Sequence, residues 1–482
     1  MGRFVVTSAL ALSACFFAPM AWAEQAADPL AFVANGLRVE DVAQRAMASS
    51  YEVQAASENA EVAAAREDEA SAELVPRLTG TARYTRLSDL TQPPLVDIPV
   101  RIVATQAAAG TLNPTPTQAT ALPSFAVPTI VNQFLVQAQV LVPLSDYVLR
   151  INKSITAATR SAEAARFDVA ASKAKSYSDA KLAYYTWVRA RGARVVAEQV
   201  LATAREHLHD ADMVFRAGRA SNADVARART EVAASELEVE RGKSGVSLAE
   251  WQVRLALHTP AGEKIEPGED LAQPLPALPT TLASLVSESY ANRPEIKSID
   301  KNAEAAMSLA GAVRAAGYPS LSAYGDATYA DPNPRVFPPR AEWTPTWSLG
   351  AQLTWTPTAI FGSSAAAHGH ESRASALEAQ RKMVRDQITL EVIRAFNGVN
   401  EANVAIETSA RQLESALEAY RVARDVYAAG RGISTAVSDA EAALARARFQ
   451  NLNARVDIRA VRVRLEHAVG RDGSLRSPPE PR

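Results

Sequence analysis

The chain has 482 residues, and its 51 Lys and Arg nearly balance its 53 Asp and Glu, for a formal net charge of −2. This balance and a pI near 6.4 exclude a bulk basic field, so nucleic acid is not an expected partner. Aromatic residues make up only 6% of the chain, and alanine is abundant. Charges of both signs are interspersed, as on solvated helix faces, so the composition favours a largely helical protein.

Residues 1–23 are typical of a secretory signal peptide. Arg3 gives a minimal basic start, an apolar stretch follows, and Ala21–Ala23 reads as a cleavage site. The only cysteine, Cys15, lies in this segment, so we expect no disulfide in the mature chain. The residues that end at Cys15 also resemble a lipoprotein cleavage box, so lipidation there is the alternative to cleavage after Ala23. No later run of about 18 apolar residues predicts a membrane-spanning helix.

Two constant offsets indicate an internal duplication. A glycine-centred turn motif recurs after 212 residues, as in the pairs Gly218 and Gly430, Val225 and Val437, and Ala228 and Ala440. Farther from the turns the offset is 243, as in the pairs Asn59 and Asn302, Pro76 and Pro319, and Leu78 and Leu321. Constant offsets over many positions are the signature of a repeated structural unit.

The duplication divides the mature chain into two structural repeats, 24–258 and 282–469, joined by a proline-rich linker at 259–281. A tail at 470–482 is expected to be disordered. Helical periodicity predicts long helices at about 52–75, 147–215, 222–257, 293–317, 363–427 and 434–469. The heptad spacing of valines in the third of these is typical of coiled-coil packing. The longest helices would span roughly 100 Å at 1.5 Å per residue.

Beyond Pro76 and Pro319 the period changes from helical to two, which predicts strands. Two strands are expected in each repeat, at about 77–87, 131–143, 319–329 and 347–357. Alternation gives each strand one apolar and one polar face. Trp347 and Trp355 are eight residue steps apart, roughly 26 Å, close to the apolar band of about 25 Å on outer-membrane barrels. We therefore predict membrane-interface positions for Trp347, Trp355, Tyr84 and Phe134. A half-buried soluble sheet is the alternative.

Four strands cannot close a barrel by themselves, since the smallest single-chain barrels use eight. An open sheet in lipid would leave unpaired backbone groups, each costing several kcal/mol. Other subunits must therefore complete the barrel. The predicted fold is an α+β membrane protein, an oligomeric β-barrel continued by a long helical coiled-coil barrel.

This plan resembles the TolC family of outer membrane efflux proteins over essentially the whole mature chain. The Pro-x-Leu strand entries and the turns carry the resemblance, since Tyr427, Gly430 and Ala440 fit a Y-x-x-G…S/T-x-x-D-V-x-x-A pattern. The first turn matches it at Gly218, Asp224, Val225 and Ala228. The resemblance implies a homotrimer with a twelve-stranded barrel in outer membrane lipid and a periplasmic helical barrel. It also implies an exit duct for efflux or type I secretion, opened by a periplasmic adaptor and an inner-membrane pump.

The resemblance also implies a gate at the turns. Where the family has two aspartates three residues apart, this chain has Ala436 and Asp439, so Asp439 alone would form an acidic ring around a trimer axis. Asp224 and Tyr427 are further gate candidates. The resemblance leads one to expect a basic residue at position 432, but this chain has Gly432 there and Arg431 one residue earlier. Helix-end solvation and the helix dipole explain the same aspartates without a gate.

The turns are also the expected docking surface for the adaptor. Gly218 and Gly430 are candidate positive-φ residues that end helices, with Arg219 and Arg431 beside them at the tip. Helix-end cations that complement the dipole are the alternative.

No nucleophile–base set, phosphate loop or Cys/His framework indicates an enzyme or a cofactor. The clusters His368, His370 and Glu371, and His207, His209 and Asp210, invite a metal interpretation. Histidines two residues apart on a helix point to different faces, so we predict no metal site there. The alternative to a duct is a periplasmic coiled-coil structural or adaptor protein, which would not need lipid-matched strands.

Overall fold

The computed structural model describes residues 28–88, 130–258, 264–271, 273, 275 and 281–472. The chain divides into two compact units. Unit 1 comprises Met1–Ser50, Lys175–Leu282 and Val392–Ala468, and unit 2 comprises Tyr51–Ala174, Ala283–Glu391 and Val469–Arg482. The predicted signal peptide with Cys15, most of the linker and most of the tail lie outside the described residues.

Helices account for most of the described chain. They are α1 (Val39–Ser49), α2 (Tyr51–Ala72), α3 (Leu144–Asp146), α4 (Asn152–Arg216), α5 (Asn222–Leu257), α6 (Leu282–Asn292), α7 (Pro294–Arg314), α8 (Ala359–Ala428) and α9 (Ser434–Val469). A π-helical turn at Tyr147–Ile151 leads into α4. Among the helices that the structure describes, none combines the length and the apolarity needed to cross a bilayer.

The four strands form one antiparallel sheet in the order β1-β2-β3-β4. They are β1 (Arg77–Arg86), β2 (Asn132–Val142), β3 (Ser320–Asp331) and β4 (Thr344–Thr354). A largely helical chain with a small antiparallel sheet is what the sequence predicts.

The fourth strand lies three residues earlier in the chain than the approximate range predicted from the sequence, about 347–357. The strand begins at Thr344 and includes Pro345, which lies opposite Tyr329. A proline has no N–H to donate, but β4 is an edge of the described sheet, where one side of the strand needs no ladder partner. At the other end, Trp355 lies one residue beyond the strand. The segment that follows carries Pro357, and residues next to a proline tend to end a regular element.

The core of unit 1 is built on aromatic side chains of α4. Trp187 and Tyr184 are fully buried and meet edge to face with ring centroids 5.9 Å apart. The Tyr184 hydroxyl donates to the carbonyl oxygen of Leu37 at 3.0 Å. Leu37 is itself held by a parallel bridge to Pro267, so the described part of the linker is tied to the N-terminal segment. The hydrogen bond satisfies the polar end of Tyr184 while its ring is buried, whereas the buried indole nitrogen of Trp187 has no hydrogen-bond partner among the described residues.

Glycine allows α4 to approach its neighbours closely. A methyl group at Gly192 would lie 2.5 Å from Cδ1 of Leu452 on α9 and 2.9 Å from the carbonyl oxygen of Pro29. The second distance involves backbone, which cannot move aside cheaply. Close packing in unit 1 therefore depends on the missing side chain at this position.

The close contact of Gly192 with Leu452 and Pro29 can be tested by substitution. Gly192→Ala should destabilise the protein by about 1–3 kcal/mol, the usual cost of overpacking a core. Gly245 on α5 is the matched control, since a methyl group there meets no described atom within 4 Å. Gly245→Ala should be neutral or should stabilise by up to about 1 kcal/mol through helix propensity. Thermal unfolding followed by circular dichroism at one scan rate measures both, and equal midpoints for the two variants would refute the packing role.

Candidate functional site

One face of the sheet in unit 2 is apolar and exposed. On β4 it presents Trp347 and Leu349, which are 78% and 79% exposed, and then Leu353. The register continues this face across the sheet with Ala327, Ala138 and Gly80 beside Trp347, and with Leu321 beside Leu353. Apolar side chains of this size are normally withdrawn from water, and a contiguous exposed patch marks an interaction surface.

Aromatic rings gather at one end of this apolar face. The rings of Tyr84 and Phe134 lie 4.9 Å apart, and Trp343 lies 6.0 Å from Phe134 and 4.8 Å from Tyr329. Tyr84 and Phe134 were predicted as interface aromatics, whereas Trp343 and Tyr329 were not. Trp343 precedes β4, and its place in the cluster depends on the hairpin between β3 and β4. Alternation along a single strand does not reveal that position.

Trp347 and Trp355, the other predicted interface residues, occupy different kinds of position. Trp347 is the fourth residue of β4 and lies on the apolar face. Trp355 follows the strand, and its indole N–H donates to the carbonyl oxygen of Gly317 at 3.2 Å. Its ring is 53% exposed, so it combines an apolar body with a satisfied polar group, as aromatics at membrane interfaces do.

The opposite face of the sheet is polar. Asp326 on β3 accepts hydrogen bonds from Arg335 at 2.8 and 3.1 Å and from the hydroxyl of Ser348. The neighbouring positions on this face are Thr79, Thr81, Arg83, Gln137, Gln139, Thr346 and Gln352. The sheet therefore has one apolar face and one charged, hydrogen-bonded face.

The two turns between long helices lie in unit 1 and share one geometry. Gly218 and Gly430 have φ of 71° and 72°, as the sequence predicts. After the first glycine, the Arg219 N–H donates to the carbonyl oxygen of Val214 at 3.0 Å. After the second, the Arg431 N–H donates to Val426 at 3.0 Å. Bonds of this kind around a left-handed residue define the Schellman helix end.

The arginines beside these glycines are both exposed, but they differ in their contacts. A methyl group on Gly430 would lie 2.8 Å from Nη1 of Arg219, so the first turn reaches across to the second. Gly432 packs against the backbone of Tyr427, where a methyl group would lie 3.2 Å from its nitrogen. The position where the family resemblance expects a basic residue therefore has little room for a side chain.

The two candidate gate aspartates have different environments. Asp224 completes a capping box at the start of α5, since its carboxylate accepts from the Ser221 N–H at 2.9 Å and hydroxyl at 2.7 Å. These bonds hold the pKa of Asp224 below its usual value. Asp439 is exposed on α9 and forms no ion pair with any other described residue. Of the two, Asp439 is the one whose carboxylate is exposed and has no ion-pair partner among the described residues.

Tyr427 is 3% exposed and packs with Val214 and Val437. Its ring meets that of His207 edge to face, with centroids 5.9 Å apart. Burial raises the pKa of Tyr427, while the neighbouring Ser434 hydroxyl acts in the opposite direction. The side chain is therefore a neutral packing element between α4, α8 and α9.

His207 is the centre of a polar cluster that the sequence did not predict. Its Nδ1 lies 3.1 Å from Oε2 of Glu441 and 3.5 Å from Oε2 of Glu231. Burial alone would lower the pKa of His207, but the hydrogen bond and charge of Glu441, with Glu231 and Asp210, raise it overall. The three residues come from α4, α5 and α9, and only tertiary packing brings them together.

The two histidine clusters weighed from the sequence are not assembled as metal sites. His209 is exposed, and Asp210 accepts from Nε of Arg424 at 2.9 Å. In the second cluster, Glu371 pairs with Arg314 at 2.6 Å. His368 is exposed and lies 3.7 Å from Glu371.

Part of the chain matches a known protein family. Residues 285–471 match the sequence profile of the outer membrane efflux protein family. No curated protein sequence matches the chain.

Solved structures show the same fold over about nine-tenths of the chain. The outer membrane channel CmeC of Campylobacter jejuni matches with a TM-score of 0.70 and 16% identity, over 90% of this chain and 85% of CmeC. The outer membrane protein VceC of Vibrio cholerae matches with 0.69 and 15%, over 90% and 96%. The outer membrane channel MtrE of Neisseria gonorrhoeae, in its open state, matches with 0.69 and 18%, over 90% and 89%.

At these identities the structures establish the fold, and the profile match adds sequence evidence over the second half. CmeC and MtrE are outer membrane channels, and the prediction that this chain is not an enzyme agrees with that similarity. The resemblance to the TolC-like outer membrane efflux proteins is confirmed, by sequence for residues 285–471 and by fold for about 90% of the chain.

Proposed function

We propose that this chain is one subunit of a homotrimeric exit duct in the outer membrane, a passive conduit for efflux or type I secretion. In this proposal three copies of the sheet form a twelve-stranded barrel, and the helices continue it as a periplasmic coiled-coil barrel. A duplicated ancestral repeat accounts for the recurring turns. The observation that carries the proposal is the exposed apolar face of a sheet whose other face is polar.

Both edges of the sheet support an oligomer. Among the described strands, β1 and β4 each pair on one side only. An unpaired edge in hydrocarbon would cost several kcal/mol for each backbone group. Pairing β4 of one copy with β1 of the next removes both edges, and three copies give the strand number of a closed barrel.

The dimensions of the apolar face fit a bilayer. Trp343 and Trp355 flank β4 and are twelve residue steps apart. Such a segment is about 40 Å long at roughly 3.3 Å per residue. A strand tilt of about 40° projects this length to about 30 Å, roughly the thickness of the hydrocarbon core.

The alternative, a periplasmic coiled-coil adaptor, does not account for the apolar face. An adaptor exposed to water would present Trp347, Leu349 and Leu353 to solvent, at a cost of about 25 cal/mol per Å² of apolar surface. A membrane-embedded barrel removes this cost. The long helices fit either class and do not discriminate between them.

We assign gating and docking to the turns on the basis of charge and exposure. Asp439 carries an exposed carboxylate one turn into α9, and three copies around an axis would attract cations and repel anions. Arg219 and Arg431 offer exposed donors beside the glycine turns, suited to the backbone carbonyls or carboxylates of an adaptor hairpin. The adaptor would couple the duct to an inner-membrane pump.

The membrane role of the sheet predicts an asymmetry between its faces. Leu349→Lys places a charge on the apolar face and should impair barrel assembly, because lysine near the bilayer midplane costs about 2–4 kcal/mol. Gln352→Lys, on the polar face of the same strand, should assemble normally. The fraction of protein recovered from outer membranes as a heat-modifiable trimer measures the difference. Equal recovery of both variants would refute the orientation of the sheet.

The gate assignment predicts a change in conductance. Asp439→Ala should raise single-channel conductance in planar bilayers and weaken the preference for cations, since it removes a carboxylate from each subunit. Tyr427→Phe should also raise conductance if its hydroxyl contributes to closure. Asp425→Ala, at an exposed α8 residue near the same turn, is the control and should leave both properties unchanged. Unchanged conductance in Asp439→Ala and Tyr427→Phe together would exclude the gating role.

The docking assignment predicts site-specific crosslinking. Because the mature chain is expected to contain no cysteine, Arg431→Cys should introduce a single thiol at the turn. In cells, a thiol-reactive crosslinker should then capture a periplasmic adaptor, and pump components should co-purify. Glu238→Cys, an exposed residue farther along α5, should not capture it. Capture from both positions, or from neither, would contradict docking at the turns.

A further inference from the structure

Three side chains around His207 converge as metal ligands do. His207 Nδ1 and one carboxylate oxygen each from Glu231 and Glu441 all lie within 4.8 Å of one another. His207 is 1% exposed, and the side chains of Glu441 and Glu231 are 12% and 30% exposed. The ligand atoms come from three helices, α4, α5 and α9, within unit 1.

The spacing of the ligand atoms fits a small tetrahedral cation. In a zinc site with bonds of about 2.0–2.1 Å, neighbouring ligand atoms lie about 3.3 Å apart. The distances from His207 Nδ1 to Glu441 Oε2 and Glu231 Oε2 are 3.1 and 3.5 Å. The two carboxylate oxygens lie within 4.8 Å of each other, so they would have to approach by at most about 1.5 Å to close the site.

The second nitrogen of His207 is oriented as in metal-bound histidines. Its Nε2 lies 3.4 Å from the hydroxyl of Ser434, which is buried at the start of α9. A hydrogen bond from Nε2–H to this hydroxyl would leave the lone pair of Nδ1 directed at the two carboxylates. Metal-ligating histidines characteristically donate their other N–H in this way.

Three electron-pair donors that face one another repel unless a proton or a metal cation lies between them. A proton on Nδ1 of His207 would be donated in a hydrogen bond to Glu441 Oε2. Two other buried oxygens, Glu231 Oε2 and Glu441 Oε1, would still have no hydrogen-bond partner among the described residues. One imidazolium also balances only one of the two carboxylates. The nearby cation of α8, Arg424, is held by Asp210 at 2.9 Å and Glu206 at 2.8 Å. A divalent cation bound to neutral imidazole balances both glutamates.

A cavity gives an ion access to the cluster. It has a volume of about 220 Å³, and its lining includes Glu231, Glu441, Ser438 and Thr203. This volume holds several water molecules, so water can complete the coordination and an ion can enter. The cavity lining also includes the positively charged residue Arg448, which lies on α9 together with Glu441.

We propose that His207, Glu231 and Glu441 form a binding site for a first-row divalent cation, with Zn²⁺ the best fit. An imidazole with two carboxylates suits Zn²⁺, whereas Mg²⁺ and Ca²⁺ prefer oxygen ligands alone. The bound ion fastens α4, α5 and α9 to one another beside the buried ring of Tyr427. It stiffens the helices next to the two turns, and this property does not depend on the channel function proposed above.

Isothermal titration of the mature, tag-free protein in detergent, after removal of metals with a chelator, tests the proposal. Zn²⁺ should bind at about one site per chain and raise the midpoint of thermal unfolding. Co²⁺ should give the visible absorption of a tetrahedral complex, and Mg²⁺ should not compete. His207→Gln and Glu441→Gln should weaken Zn²⁺ binding by about 100-fold or more.

Matched controls separate this site from general surface binding. His209→Gln on the same helix and Glu236→Gln on α5 alter exposed residues and should retain wild-type affinity. Glu231→Gln is partly exposed and conservative, so it decides the matter if the His207 variant fails to fold. Unaltered Zn²⁺ affinity in a folded Glu231→Gln or His207→Gln protein, or no Zn²⁺ binding by the wild type, would overturn the proposal. Neither outcome would affect the assembly and conductance tests of the duct.

Discussion

The strictest physical constraint on this chain is the exposed apolar face of its four-stranded sheet. Trp347, Leu349 and Leu353 cannot remain in water cheaply, and the opposite face, with Asp326 and Arg335, cannot enter lipid cheaply. The boundary between hydrocarbon and water that we propose for the sheet satisfies both faces at once. The two open edges add a second requirement, because hydrocarbon offers no partner for free backbone groups. The oligomerisation and membrane insertion that we propose would thus both follow from one pattern of alternation.

In unit 1 the constraint is the packing of long helices against one another. Long helices packed side by side need close approach, which alanine and Gly192 provide, and they need helix ends that turn back sharply, which Gly218 and Gly430 provide. Neither device requires a large apolar core. Buried polar groups such as His207 are costly unless they are paired, because burial removes the water that would otherwise hydrogen-bond them. The cluster around His207 is one place where this unit meets that cost.

Periodicity reveals much of this architecture, since the change from helical to alternating period at Pro76 and Pro319 locates the strands. Helix ends at glycines are equally local, which is why both turns could be predicted. Properties that depend on residues distant in the sequence could not be predicted in this way. Pro345 argues against a strand until the edge position of β4 is known. Trp343 joins the aromatic cluster only through the hairpin. The sequence draws attention to His207 beside His209 and Asp210, but the partners that the fold gives it, Glu231 and Glu441, lie on two other helices.

At the second turn, the cation beside Gly430 comes from Arg219 of the first turn and not from position 432. The family resemblance leads one to expect a basic side chain at position 432, but Gly432 lies against the backbone of Tyr427, where a side chain would crowd. Arg219 instead reaches the second turn from the first, with its guanidinium beside Gly430. A cation supplied from the other turn couples the two turns directly, whereas one at position 432 would belong to the second turn alone. Separation of the turns would therefore remove this cation from the second turn without any change in that turn's own conformation.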